Sequence, residues 1–115
     1  MEVSELFKGR LEKEIEIKAI EIKKSEEVFG SKVKAVGRSV AVIYTEAGRE
    51  AHAVPKGIEY KNGSWVVVDE LQAIKSVNNP NSWFARFYKK YGKFPTPGMK
   101  VRVINNPRGF LVIDV

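Results

Sequence analysis

The stretch from residue 79 to residue 110 reads NPNSWFARFYKKYGKFPTPGMKVRVINNPRGF and mixes aromatic and basic side chains more densely than any other part of the chain. Six rings and four cations fall within twelve residues: Trp83, Phe84, Phe87, Tyr88, Tyr91 and Phe94, with Arg86, Lys89, Lys90 and Lys93 among them. A flat ring stacks on a base of any identity, and a cation neutralises the phosphate of any nucleotide. The stretch therefore predicts binding of single-stranded DNA or RNA with little sequence specificity.

The same stretch predicts a helix followed by a strand. Asn79 and Pro80 supply a helix cap and a proline at the first helical position, and Gly92 ends the helix after about Tyr91. Four rings share one face of this helix: Phe84, Phe87, Tyr88 and Tyr91. A face of this kind most often packs against a sheet, so these rings are also expected to be partly core. Trp83 and Phe94 are then the better candidates for exposed stacking surfaces.

The predicted binding set extends beyond the helix. A strand over residues 99–104 places Lys100 and Arg102 on one face, Arg108 lies at a turn tip, and Trp65 comes from an earlier strand. The complete set of predicted nucleic-acid-binding residues is Trp65, Trp83, Arg86, Phe87, Lys89, Lys90, Tyr91, Lys93, Phe94, Lys100, Arg102 and Arg108.

The last third of the chain carries most of the net charge of +6. Residues 1–30 hold eight Glu against six Lys and Arg, and residues 31–70 are nearly balanced. Residues 71–115 hold eight Lys and Arg against a single acid, Asp114. Because no acid lies between Lys75 and Arg108, the sequence predicts a basic surface of the kind that binds polyanions.

Composition restricts the class of protein. A chain of 115 residues is long enough for one domain with its own core. It has no Cys, which excludes disulfides and thiolate metal sites. It lacks an 18-residue apolar run and starts with acidic residues, so we expect a cytoplasmic protein that does not bind membranes. The 30% of charged residues, together with the lack of Cys, also fits a thermophile.

Residues 3–29 allow two interpretations. Ile15, Ile17, Ile20 and Ile22 partly alternate with charged residues, which suits a strand. Residues 10–29 contain no Gly, Pro, Asn or Asp, however, and Gly30 stands where a helix would end, so a long amphipathic helix is favoured. Such a helix carries two apolar stripes. One stripe would cover the sheet and the other a partner subunit, so residues 3–29 are expected to form a homo-oligomer.

From residue 31 onward the pattern indicates strands and short helices. Strands are expected at residues 33–36, 39–46 and 49–54, in a second hairpin whose turn contains Asn62 and Gly63, and in a C-terminal hairpin. Asp69 opens a short helix through about Ser76, with Leu71 and Ile74 packing inward. The predicted fold is α+β, with a small antiparallel sheet packed with helices. Residues 1–30 form the N-terminal helix and residues 31–115 a single nucleic-acid-binding domain.

Residues 87–103, FYKKYGKFPTPGMKVRV, resemble the archaeal ThermoDBP family and its related proteins. The resemblance covers roughly the last 40 residues, with weaker agreement in the central strands. It implies a small antiparallel sheet packed with helices, and a cleft with a hydrophobic floor and basic edges that binds single-stranded DNA or RNA. Some members of this family assemble through a helical segment outside the core, which the N-terminal helix could match.

Catalysis has little support in the sequence. His52 is the only histidine and lies in an alternating strand, where an exposed or hydrogen-bonded structural role is more common. Asp69 and Glu70 have no neighbouring His that would suggest a metal site. The chain contains neither GxxxxGK[ST] nor GxGxxG. We therefore expect a binding protein that is not an enzyme and uses no cofactor or metal. The alternative is an oligomeric structural or adaptor protein that binds another protein through its N-terminal helix.

Overall fold

The computed structural model describes residues 13–30 and 37–115. These residues form seven strands: β1 (Lys13–Lys24), β2 (Ser39–Thr45), β3 (Gly48–Ala53), β4 (Ile58–Lys61), β5 (Ser64–Val67), β6 (Lys100–Asn105) and β7 (Leu111–Ile113). They also form three helices: α1 (Ser25–Phe29), α2 (Glu70–Val77) and α3 (Trp83–Tyr91). The strand predicted at residues 33–36 lies outside the described residues.

Five strands form one antiparallel sheet in the order β3–β2–β1–β6–β7, and β4 and β5 form a separate hairpin. The five-stranded sheet is nearly closed and barrel-like. Strands account for 43% of the described residues and helices for 23%, so the protein is mostly β. The prediction of an α+β fold with a long N-terminal helix is therefore wrong.

The error has its origin in β1, which is the central strand of the sheet. Its first half pairs with β6 and its second half with β2. The register shifts between Ile17 and Ala19, so Lys18 is an extra residue in a β-bulge. The bulge keeps isoleucine side chains of β1 on the inner face of the sheet. Ile15 and Ile17 are buried before the bulge, and Ile20 pairs with the buried Ile43 after it. An apolar spacing that is interrupted once looks helical, but here it belongs to one bulged strand.

This correction also removes the basis for self-association through residues 3–29. The buried side chains of β1 are covered by the protein's own sheet and by α3. Two apolar stripes that need a partner subunit therefore do not exist in residues 13–29. The remaining residues of that predicted segment, 3–12, lie outside the described part of the chain.

A carboxylate connects the two edges of the sheet. Glu50 on β3 accepts a hydrogen bond from the backbone N–H of Ile113 on β7, at 2.6 Å. Its other oxygen lies 3.0 Å from Nε2 of His52. The Glu50 side chain is only 15% exposed. The carboxylate thus holds β3 and β7 together where no backbone ladder joins them.

Helix α3 packs its inner side against the sheet. Phe87 is wholly buried in a cluster with six sheet residues: Ile15, Ile17, Ile43, Val101, Val103 and Ile113. Phe84, also wholly buried, packs in a second cluster with Ala41, Val54, Ile58 and Ala73. Because both rings lie on one side of α3, the opposite side of the helix is turned towards solvent.

The ends of α2 and α3 follow local sequence signals. The carboxylate of Asp69 accepts from Gln72 N–H and caps α2, and Gly92 ends α3 with φ 82°, both as predicted. The cap of α3 is Ser82, whose hydroxyl accepts from Ala85 N–H. Asn79 was the predicted cap, but its side chain accepts from Asn81 N–H within the preceding turn.

The prediction that Leu71 and Ile74 pack inward is wrong, since these side chains are 74% and 49% exposed. The reason is a close approach of backbones. A Cβ atom at Gly57 would lie 2.5 Å from Ala73 N, so only glycine allows α2 to dock there. This contact turns Ala73 inward and leaves the other apolar side of α2 uncovered.

Within the described residues, no helix combines the length and apolar character that crossing a membrane requires.

Candidate nucleic-acid interface

Trp83, the first residue of α3, is held by a ring on β3. Its indole stacks on the imidazole of His52, with centroids 3.9 Å apart and an interplanar angle of 4°. The rings of Phe84 and Phe87 pack against it, with centroids 5.3 and 5.2 Å from that of the indole. The side chain is half-buried and packs against both core clusters. One face of Trp83 is therefore already occupied and is not available to a base.

Two predicted binding residues have structural roles. Phe87 is 0% exposed, so no ligand can reach its ring, and its predicted contact with nucleic acid is corrected to a core role. The Tyr91 hydroxyl donates to the backbone oxygen of Asp114 at 2.7 Å and accepts from the N–H of Arg102 at 3.3 Å. Tyr91 thus fixes the end of α3 to β6 and to the residue after β7.

A row of four tilted rings crosses the surface beside α3. The row runs in the order Tyr88, Phe94, Trp65 and Tyr60, with successive centroids 5.0, 5.9 and 4.9 Å apart. Its rings meet at angles of 47–57°, so they do not cover one another's faces as the parallel His52–Trp83 pair does. Trp65 is fixed by a hydrogen bond from Nε1 to the backbone oxygen of Pro95 at 2.7 Å.

Tyr88 is the ring of this row that sequence reasoning assigned to the core. Its side chain is 44% exposed and lies on the flank of α3. The helical periodicity alone could not separate Tyr88 from Tyr91, because both follow Phe84 and Phe87 at core spacing. The pair Lys89 and Lys90 does not separate them either, because it lies between Tyr88 and Tyr91 and adjoins both.

The outer side of α3 borders a groove of about 910 Å³, here called the α3 groove. The α2–α3 connection forms the other wall. Tyr88 and three of the predicted cations line this groove: Arg86, Lys89 and Lys90. Among the described residues that line it, none is Asp or Glu.

The three cations of the α3 groove differ in their partners. Lys90 forms an ion pair with Asp114. Arg86 donates from Nη1 to the backbone oxygen of Pro80 at 3.2 Å. Lys89 is exposed, and no described residue pairs with it or accepts a hydrogen bond from it. Lys89 is therefore the cation most available to an added phosphate.

The predicted cations of β6 lie opposite acids. In the β1–β6 register, Lys100 pairs with Glu16 and Arg102 with Glu14. Directly opposed residues of an antiparallel pair project on the same face, so this face carries both signs of charge. The region is free of acids along the sequence but is not free of them in space. Lys100 and Arg102 thus do not extend a purely basic surface.

The other predicted residues are spread over the surface. Lys93 is exposed just beyond the end of α3, and Phe94 is half-buried next to Tyr88. Arg108 is exposed on the β6–β7 turn, where the Asn106 side chain accepts from its N–H, and it does not line the α3 groove.

A second groove of about 640 Å³, the hairpin groove, lies between the β4–β5 hairpin and the neighbouring ends of β1 and β2. Tyr60, Arg38 and Lys56 line it, and Glu59 is the acid among those of its lining residues that the structure describes. Sequence reasoning did not find this groove, because its residues come from segments that are far apart in the chain.

Within the described residues, no group of three or more His, Cys, Asp or Glu side chains is placed to hold a metal ion.

The chain matches no protein-family model, and no curated protein or solved structure is significantly similar to it. The resemblance of residues 87–103 to the ThermoDBP family therefore stays a prediction. The aromatic cluster around α3 is compatible with nucleic-acid binding.

Proposed function

We propose that this protein binds single-stranded nucleic acid, DNA or RNA, with little sequence specificity, at the α3 groove. The observation that carries the proposal is that the exposed ring of Tyr88 lies in the same groove as Arg86, Lys89 and Lys90. Rings beside cations bind the two parts that all nucleotides share, the flat base and the phosphate.

A single strand fits this arrangement better than a duplex. In a duplex the bases are stacked and paired, so their faces cannot reach a ring on a protein surface. A single strand can place one base against Tyr88 while its phosphates lie near Lys89 and Arg86. Because every base has a flat face, such a contact does not select one base.

The test is fluorescence anisotropy with labelled single-stranded DNA, single-stranded RNA and blunt duplex of equal length, at several salt concentrations. We expect both single strands to bind more tightly than the duplex. If three or four cations contact phosphates, the log–log salt slope should lie between about −2 and −3, at about −0.7 for each phosphate. Equal affinity for the duplex, or no binding at low salt, would contradict the proposal.

A second candidate function is association with another copy of the chain, and it is favoured by the uncovered apolar side of α2. Val67, Val68, Leu71 and Ile74 are 62%, 51%, 74% and 49% exposed. An antiparallel pairing of two α2 helices about a two-fold axis would place Leu71 of one copy opposite Ile74 of the other. The same axis would bring Glu70, in the first turn, opposite Lys75, in the last turn.

Light scattering distinguishes this candidate from a monomer. We expect a dimer that dissociates on dilution, because a helix of eight residues buries little area. Leu71→Asp should yield a monomer. Lys61→Asp, on the β4–β5 hairpin and outside the apolar side of α2, should leave the dimer unchanged. A wild-type monomer at every concentration would exclude this interface.

A further inference from the structure

The row of rings ends in a groove at each side. Tyr88, at one end, lines the α3 groove, and Tyr60, at the other end, lines the hairpin groove. Phe94 and Trp65 lie between them without a gap, since no step between neighbouring centroids exceeds 5.9 Å. The two grooves are thus joined by a continuous aromatic surface.

We infer that a bound single strand continues from the α3 groove across this row into the hairpin groove, where Arg38 and Lys56 contact its phosphates. The inference rests on the proposed function and assigns a second binding segment to residues outside the stretch 79–110. It also makes Trp65 and Tyr60 contact surfaces for bases in the middle of the path.

The rings of the row are suited to this role because they are partly exposed and held in place. Trp65 is fixed by its bond to Pro95 and by the edge contact with Phe84 at 5.2 Å. Tyr60 is fixed against Trp65 by the β4–β5 register, in which the two residues are direct partners. Rings that are already ordered lose little conformational freedom when a base stacks on them.

The cations of the hairpin groove combine an anchored backbone with an exposed side chain. The backbone oxygen of Arg38 accepts from Ser25 N–H at 2.8 Å, and that of Lys56 accepts from the Ser76 hydroxyl at 2.9 Å. In the described residues neither side chain forms an ion pair. The acid of this groove, Glu59, lies 3.7 Å from Lys61. Among the described residues, Arg38 and Lys56 therefore have no ion-pair partner that competes with a phosphate.

The test compares two lengths of labelled oligo(dT), about 5 and about 15 nucleotides, within the range of site sizes known for such modules. The double variant Arg38→Ala/Lys56→Ala should bind the longer probe about five- to tenfold more weakly at low salt, with a slope flatter by up to about 1.4. It should bind the shorter probe like the wild type, because that probe is held in the α3 groove. Arg49→Ala, at an exposed residue of β3 that lines neither groove, is the control and should leave both affinities unchanged.

The outcomes separate this inference from the function on which it rests. If the folded wild type binds neither probe, the proposed function fails. If it binds both probes and the double variant binds the longer one normally, the function stands and the path is overturned. Equal weakening of both probes would also overturn the path, because the short strand would then occupy the hairpin groove. Melting temperatures equal to the wild type's show that the variants are folded.

Discussion

His52 and Trp83 form a parallel stack that joins β3 to α3, with centroids 3.9 Å apart and planes 4° apart. His52 is in turn held by Glu50, the residue that links the sheet edges. The ring that sequence reasoning favoured for stacking on a base is thus stacked on the protein itself. Its substitution should act first on stability.

Trp83→Ala should lower the free energy of unfolding by about 2–3 kcal/mol, somewhat less than the 3–5 typical of a wholly buried ring. The reason is the loss of packing against His52 and both core clusters. Urea unfolding measures this change. A variant with unchanged stability but weaker binding of single strands would contradict the structural role and return Trp83 to the interface.

Tyr88→Ala should cost about 1–3 kcal/mol of binding and leave the salt slope unchanged, because a stacking ring contributes no phosphate contact. Anisotropy titration and a melting curve measure the two effects separately. Phe84→Ala is the matched control on the same helix. It removes a wholly buried ring and should cost about 3–5 kcal/mol of stability. Wild-type affinity in Tyr88→Ala would exclude this ring as the stacking surface.

Lys89→Ala should flatten the salt slope by up to about 0.7, since Lys89 has no acidic partner in the part of the chain described. Lys100→Ala should change the slope less, because Glu16 lies directly opposite and already compensates its charge. The comparison is informative because both are exposed lysines in the same basic third of the chain. Equal effects would mean that the β6 face belongs to the interface.

Glu50→Ala should loosen the closure between β3 and β7. It removes the acceptor of the Ile113 N–H, and a hydrogen bond to a charged group is worth about 1.5–3 kcal/mol. Hydrogen exchange at the Ile113 amide should accelerate strongly. Glu59→Ala, in the separate β4–β5 hairpin, should leave it unchanged. Unaltered exchange at Ile113 in Glu50→Ala would show that the closure does not depend on this carboxylate.

Deleting Lys18 should prevent folding, whereas Lys18→Ala should change stability by less than about 0.5 kcal/mol. The side chain is exposed, but its backbone provides the extra residue of the bulge. Without that residue, one half of β1 turns its isoleucines outward. Circular dichroism and urea unfolding of the two variants test this. A cooperatively folding deletion variant would refute the bulge.

Local signals in the sequence predicted local structure well. The cap at Asp69, the end of α3 at Gly92 and the turn at Asn62 and Gly63 depend on neighbouring residues, and all three are present. The bulge at Lys18 could not be predicted in this way. A bulge is defined by the partner strand, and one interruption of an alternating pattern resembles a helical repeat.

The candidate site, too, was predicted only in part, because the sequence shows which residues are neighbours along the chain and not which are neighbours in space. The sequence located the helix and its cations, but it could not show that Glu14 and Glu16 lie opposite Arg102 and Lys100. Nor could it show that His52 covers Trp83. Charge and exposure at a surface depend on residues brought together by the sheet, and these are distant along the chain.

The placement of β1 has a consequence for the order of folding. Its first half is paired with β6, a strand far along the chain, since Lys13 is the partner of Val103. These residues are synthesised before β6 and gain this partner only once β6 is available. Pairing across so many residues carries a large loop-closure cost, which slows folding. We expect the β2–β3 hairpin to form early and the sheet to be completed only when β6 pairs with β1, in a slow step measurable by stopped-flow refolding.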